Sequence, residues 1–250
     1  MRRLSLLTVA VLTSCLLGAC TTEPGEAGAE VSVPPPSSAP ATPSTGPATE
    51  VTAGGSTLTV SAPVDEGVVD VVHHEDGTVA VRVGTAPDAP VTITLADRGR
   101  LRVNTDSSVT VLDDGGTAVA GLSPVSGRAL VTDVDPTSVR LDPASDATVA
   151  ETVLGTEAVE STSWGDREGG RSLAVAPTRW ARSAGEAGRD LVWAELVADD
   201  PGVDTPVMHD QLVCHAIGAP AKETWNLEPW RPDVGLIAVL ADRCNPTEHP

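Results

Sequence analysis

From about Ser56 to Glu151 the chain alternates short β-branched runs with polar turn signals. Leu58-Thr59-Val60, Val68 to Val72, Val79 to Val83, Val91 to Leu95, Leu101-Arg102-Val103, Val109 to Leu112, Ala129-Leu130-Val131 and Val139-Arg140-Leu141 read as strands. Between them, Glu75-Asp76-Gly77, Ala86-Pro87-Asp88, Asp97-Arg98-Gly99, Asp113-Asp114-Gly115-Gly116 and Asp135-Pro136 supply turns. This regular spacing predicts an antiparallel β sandwich or meander over residues 56–156, mainly β in class.

The habit changes at about Glu157. Val159 to Trp164 and Ser172 to Val175 read as a strand pair joined by Gly165 to Gly170. Ser183-x-x-Glu186 has the form of a capping box, followed by Ala187, Leu191, Ala194 and Ala198 at helical spacing until Asp199-Asp200-Pro201-Gly202 stops the run. Asp204-Thr205-Pro206 opens a second helix that runs through Cys214 to Gly218-Ala219-Pro220. Val234 to Leu240, apolar and rich in β-branched residues, reads as a buried strand. Residues 157–250 are therefore expected to form a small α+β domain.

The N-terminus carries a different signal. Met1-Arg2-Arg3 precedes an apolar run, Leu4 to Leu17, of roughly 14 residues, short of the roughly 20 that a membrane-spanning helix needs. It ends in Leu17-Gly18-Ala19-Cys20, which resembles a bacterial lipobox; the resemblance implies a signal peptide over 1–19, cleavage before Cys20 and a lipid on its sulfur. Thr21 to Gly55, rich in Pro, Ser, Thr and Ala with no aromatic residue, reads as a disordered tether. The expected location is the extracytoplasmic face of the cell membrane, with the membrane itself a partner through the Cys20 lipid.

Charge narrows the partners. The full sequence has 16 Lys and Arg against 35 Asp and Glu, a formal net charge of −19. Nucleic acid and anionic lipid surfaces are therefore poor partners. Cys214 and Cys244 are expected to pair, since an exported chain meets oxidising conditions. The alternative, a metal site from Cys214, His215, Cys244 and His209 or His249, lacks the paired spacings of known metal motifs. Asp70, His73, His74, Glu75 and Asp76 also cluster, but Glu75-Asp76-Gly77 already reads as a hairpin turn. No metal ligand set and no cofactor are assigned.

Several segments of the C-terminal part resemble one family. Ser172 to Thr178, Trp193-Ala194-Glu195-Leu196-Val197, Asp210-Gln211-Leu212-Val213-Cys214-His215, Trp225-Asn226-Leu227-Glu228-Pro229-Trp230-Arg231-Pro232 and Cys244-Asn245-Pro246 are similar to the exported bacterial domain of unknown function numbered 2599. The resemblance covers roughly residues 157–246. It implies a secreted, self-contained domain with a structural cysteine pair and brings no catalytic assignment; the Ala-, Val- and Gly-rich composition is compatible with an actinobacterial source.

Two functions of different class fit these residues. In the first, Trp225, Asn226, Glu228, Trp230 and Arg231 form an exposed surface of a non-enzymatic module that binds a cell-wall glycan or an envelope protein. In the second, His215 is the base and Glu228 or Asp210 its partner in a hydrolase acting on envelope material. No nucleophile elbow, zinc-binding helix or acylation motif accompanies the second, so the first is preferred. Most of Trp164, Trp180 and Trp193 are expected in the core of a chain that has neither Phe nor Tyr.

Overall fold

The structure, a computed structural model, describes residues 45–63, 69–84, 90–126, 129–143 and 149–247. Cys20, the signal and most of the expected tether lie outside these residues. All the described residues fall within one compact unit. No helix among them is long and apolar enough to cross a membrane.

The first part is all strand: β1 (Thr45–Ala53), β2 (Ser56–Pro63), β3 (Val69–His73), β4 (Val79–Gly84), β5 (Val91–Leu95), β6 (Arg100–Val103), β7 (Val109–Leu112), β8 (Ala118–Leu122), β9 (Ala129–Asp135), β10 (Ser138–Pro143) and β11 (Val149–Gly155). They form two sheets, ordered β1-β2-β5-β10-β9 and β3-β4-β11-β8-β7-β6, with antiparallel pairing throughout. Period-two alternation turns Val51, Leu58, Val60, Ile93 and Leu141 of one sheet toward Val79, Val81, Val109, Val111 and Leu154 of the other, and these close a common core. The predicted sandwich is the observed architecture. The expected tether, however, is cut short: its last residues form β1, where Val51 and Ala53 pack into that core as partners of Leu58 and Ser56.

The second part follows directly. A hairpin of β12 (Val159–Arg167) and β13 (Gly170–Pro177) leads into α1 (Arg179–Ser183) and α2 (Gly185–Asp199). A 3-10 turn, Pro201–Val203, precedes α3 (Pro206–Gly218), then come β14 (Trp225–Leu227) and α4 (Leu236–Ala241). The three strands form a small sheet ordered β12-β13-β14. Thr205 caps α3, its hydroxyl accepting from the Met208 N–H at 3.3 Å, with Pro206 in the first turn as the sequence predicts.

Two expectations are corrected. Val234 to Leu240 is not a strand: Val234 and Gly235 lead into α4, and Leu236 to Leu240 are helical; only Val239 is buried, and Ile237 is 86 % exposed. A short apolar run does not by itself separate helix from strand. Nor is Ser183 the cap of α2: its hydroxyl bonds back to the Trp180 carbonyl at 3.0 Å, ending α1. Ala184, at the cap position of α2, offers no side-chain oxygen.

The cap of α2 comes instead from the sandwich. In the turn between β6 and β7, Asp106 accepts from the Glu186 N–H at 2.7 Å and Ser108 Oγ accepts from the Ala187 N–H at 3.1 Å. These satisfy two of the donors that a helix start leaves unpaired. Gly185 has φ +64°, and a Cβ there would meet the Asp106 carboxylate, so the close approach requires glycine.

α2 lies across the outer side of β7 and β8, which is why all four residues of β7 are buried. Beside it the paired Gly121 and Gly155 leave the sheet without side chains. A Cβ on Gly155 would fall 2.3 Å from the Trp180 ring, and one on Gly121 2.8 Å from the Ala187 methyl. Trp180 rests in that bare patch, 5 % exposed, and its Nε1 donates to the Val153 carbonyl at 3.0 Å.

Candidate functional site

α3 presents a continuous buried stripe to β14 and the core. Met208 and Leu212 join the second hydrophobic core, while Gln211, Cys214 and His215 occupy the adjoining face and are also buried. Cys214 is bonded to Cys244, with Cα atoms 5.5 Å apart, as the sequence predicts. The bond draws α4 and the chain after it onto α3.

Gln211 holds β14's exit at both ends of its amide. Its Oε1 accepts from the Glu228 N–H at 3.0 Å and its Nε2 donates to the Glu228 carbonyl at 3.0 Å. Glu228 is thereby fixed with its carboxylate buried, and Arg231 Nε donates to it at 2.7 Å. The same guanidinium reaches Glu168 at 2.6 Å, Asn245 Oδ1 at 3.4 Å and the Pro246 carbonyl at 3.4 Å. Arg231 is thus the hub joining the β12–β13 turn, the end of β14 and the segment after the disulfide. A buried carboxylate–guanidinium pair with its remaining donors satisfied is the arrangement that tolerates loss of water.

Trp230 is the exposed member of this group, at 42 %. Its ring lies against Gly170, where a Cβ would come within 2.2 Å, and the Arg231 guanidinium sits 4.4 Å from the ring centroid. Trp225, by contrast, is 1 % exposed. Its Nε1 donates to the Ala219 carbonyl at 3.2 Å, and the Arg182 guanidinium lies 5.5 Å from the ring. Arg182 also donates to the carbonyls of Pro177, Pro220, Lys222 and Glu223, clamping the loop before β14.

The expected surface of Trp225, Asn226, Glu228, Trp230 and Arg231 is therefore corrected. Only Trp230 is an exposed aromatic; Trp225, Glu228 and Arg231 are buried, and Asn226 is half-buried with its carbonyl committed to His215. The polar neighbours of Trp225 in sequence suggest a surface position, but alternation along β14 turns it and Leu227 inward. The expected core positions differ too. Trp180 is buried, whereas Trp164 and Trp193 are half-buried and pack against the core from its margin.

His215 does not meet a carboxylate. Its Nε2 lies 3.0 Å from the Asn226 carbonyl and so carries the proton, while Nδ1 is buried without a hydrogen-bond partner among the described residues. Burial pushes the imidazole below its ordinary pKa, the bond to Asn226 opposes this, and the nearby Lys222 charge adds to the depression. Glu228 is committed to Arg231, and Asp210 is half-buried elsewhere on α3. The pairing that the hydrolase reading needs, His215 with Glu228 or Asp210, is not formed.

In the sandwich, Asp76 accepts from both the N–H and the hydroxyl of Thr78, at 3.1 and 2.7 Å. This holds the β3–β4 turn and lowers the Asp76 pKa. Among the described residues no three His, Cys, Asp or Glu side chains are grouped to hold a metal ion.

Sequence reasoning missed Glu168, Gly170 and Arg182. Glu168 and Gly170 were absorbed into a turn, and Arg182 into a helix, and nothing in their local pattern marks a partner some forty to sixty residues away. The segments that carried the family resemblance do meet here: Gln211, Glu228, Asn245 and Pro246 are linked directly or through Arg231.

The profile of the DUF2599 family, described as a protein of unknown function, matches residues 159–247. The uncharacterized protein Mb0487 of Mycobacterium bovis and the uncharacterized protein Rv0477 of Mycobacterium tuberculosis H37Rv are each 37% identical over 138 residues, covering 50% of this chain and 93% of theirs. The uncharacterized protein ML2452 of Mycobacterium leprae is 38% identical over 64 residues, covering 24% of this chain and 52% of its own. The chain belongs to the DUF2599 family. No solved structure matches it.

Proposed function

We propose that this chain is an exported lipoprotein, anchored by a lipid on Cys20 to the extracytoplasmic face of the cell membrane, and that it acts there as a non-enzymatic binding or interaction module. The observation that carries the binding role is Trp230, a large indole left 42 % exposed on a base made rigid by Gly170 and the Arg231 hub. An immobilised aromatic of this kind loses little entropy on contact and suits the face of a sugar ring or an apolar patch of a partner protein. The partner proposed is a cell-wall glycan or another envelope protein. The export and anchoring proposal rests on Leu17-Gly18-Ala19-Cys20 and is supported by the Cys214–Cys244 disulfide, a bond that persists in oxidising compartments.

Two measurements test this reading. Metabolic labelling with a radioactive fatty acid is expected to mark the parent chain and not Cys20→Ser; equal labelling of both refutes the anchor. Pull-down on isolated cell envelopes is expected to weaken about tenfold for Trp230→Ala, the loss of one aromatic hot spot. Undiminished binding by that variant refutes the role given to Trp230.

A further inference from the structure

A concave surface lies between the β7–β8 hairpin and α2, well apart in sequence from Trp230. We propose that it binds a small organic cation, an ammonium head on an apolar body. The cavity is about 430 Å³, within the size range of small-ligand sites. Leu112, Ala118 and Val197 give it an aliphatic lining, Trp193 an aromatic one, and Asp204 and His209 line it too. Trp193 and His209 meet edge to face, ring centroids 4.9 Å apart and planes at 79°, which braces the indole wall.

Charge decides the sign of the ligand. Arg102 lines the cavity too, but its guanidinium is engaged by Asp190, which also accepts from the Thr110 hydroxyl at 2.7 Å. Arg100, at the start of β6, does not line the cavity itself but lies against Gly116 at its edge. Asp204 is the carboxylate of the lining that has no ion-pair partner among the described residues, on a chain whose formal net charge is −19. That field draws cations toward the surface and repels anions. Once there, an ammonium group gains from both the carboxylate and the aromatic wall, and its alkyl or aryl body gains from the aliphatic lining. A neutral polar molecule gains from the aliphatic lining alone.

Calorimetric titration of the full chain with three matched probes tests this: phenethylammonium, neutral 2-phenylethanol and anionic phenylacetate. The ammonium probe is expected to bind about fivefold more tightly than the alcohol, and the anion most weakly. Asp204→Asn is expected to bring the ammonium probe and the alcohol to equal affinity while leaving the alcohol unchanged. Ala198→Trp, which fills the cavity from α2, is expected to remove binding of all three. Equal binding of cation and alcohol by the parent chain overturns the proposal, as does a cation preference that survives Asp204→Asn. Binding of none of the probes, or binding unaffected by Ala198→Trp, overturns the site itself.

Discussion

Ser108 and Ala187 stand 79 positions apart in sequence and are joined by one hydrogen bond, the serine hydroxyl accepting from the helical N–H at 3.1 Å. With Asp106 on Glu186, it makes the start of α2 dependent on a turn of the sandwich. Ser108→Ala and Asp106→Ala are each expected to cost about 1 kcal/mol, the usual loss of a helix cap. Urea denaturation checks this. Tryptophan fluorescence, which reports only the C-terminal part, is expected to shift its midpoint even though both substitutions lie in the sandwich.

Gly155→Ala puts a methyl group where the Trp180 ring already lies, 2.3 Å from Cδ2. Overpacking of this kind is expected to destabilise by about 1 to 3 kcal/mol. Thermal melts of Gly155→Ala and of Gly155→Ala combined with Trp180→Leu are the measurement. Partial recovery in the double variant identifies the ring as the cause.

Breaking the Glu228–Arg231 pair leaves a charge in a site where both side chains are nearly inaccessible. Glu228→Gln is expected to cost about 3 to 5 kcal/mol, whereas Glu168→Gln, on the exposed side of the same guanidinium, is expected to cost about 1 kcal/mol or less. Chemical denaturation of the two variants side by side gives the ratio.

His215 makes stability fall toward acid. Its folded pKa is held below the ordinary value of 6.5, so the unfolded chain takes up a proton first as the pH drops. The contribution is full above about pH 6.5 and is lost as the pH falls from there toward the folded value. His215→Gln is expected to flatten that part of the stability curve, measured by denaturant midpoints across the range. An unchanged slope refutes the assignment to His215.

Removal of the disulfide by Cys214→Ser with Cys244→Ser is expected to cost roughly 3 kcal/mol, the chain-entropy value for a loop of this length. Differential scanning calorimetry measures it. Mass spectrometry of exported protein is expected to find both thiols oxidised.

What the sequence revealed followed the reach of its signals. Most sandwich strands between Leu58 and Leu141 were legible because alternation and turn residues are local. β8 and β11 escaped notice because Ala118 to Leu122 and Val149 to Gly155 are diluted by small or polar residues, and their Gly121 and Gly155 read as loop. Those glycines are explained only by Trp180, which no local pattern brings near. The same holds at the candidate site. The cysteine pair and the Thr205 cap were readable from residue type and spacing, whereas the direction in which Trp225, Glu228 and Arg231 face depends on the register of a three-residue strand.

The bare patch formed by Gly121 and Gly155 also limits which sandwich this C-terminal part can be joined to. A side chain on either glycine would fall where the indole or the Ala187 methyl already lies, so neither face of the fit can change without disturbing the other. Within this chain the two parts are therefore a matched pair, and a recombinant that joins this C-terminal part to an ordinary β sandwich carries a tryptophan with no seat.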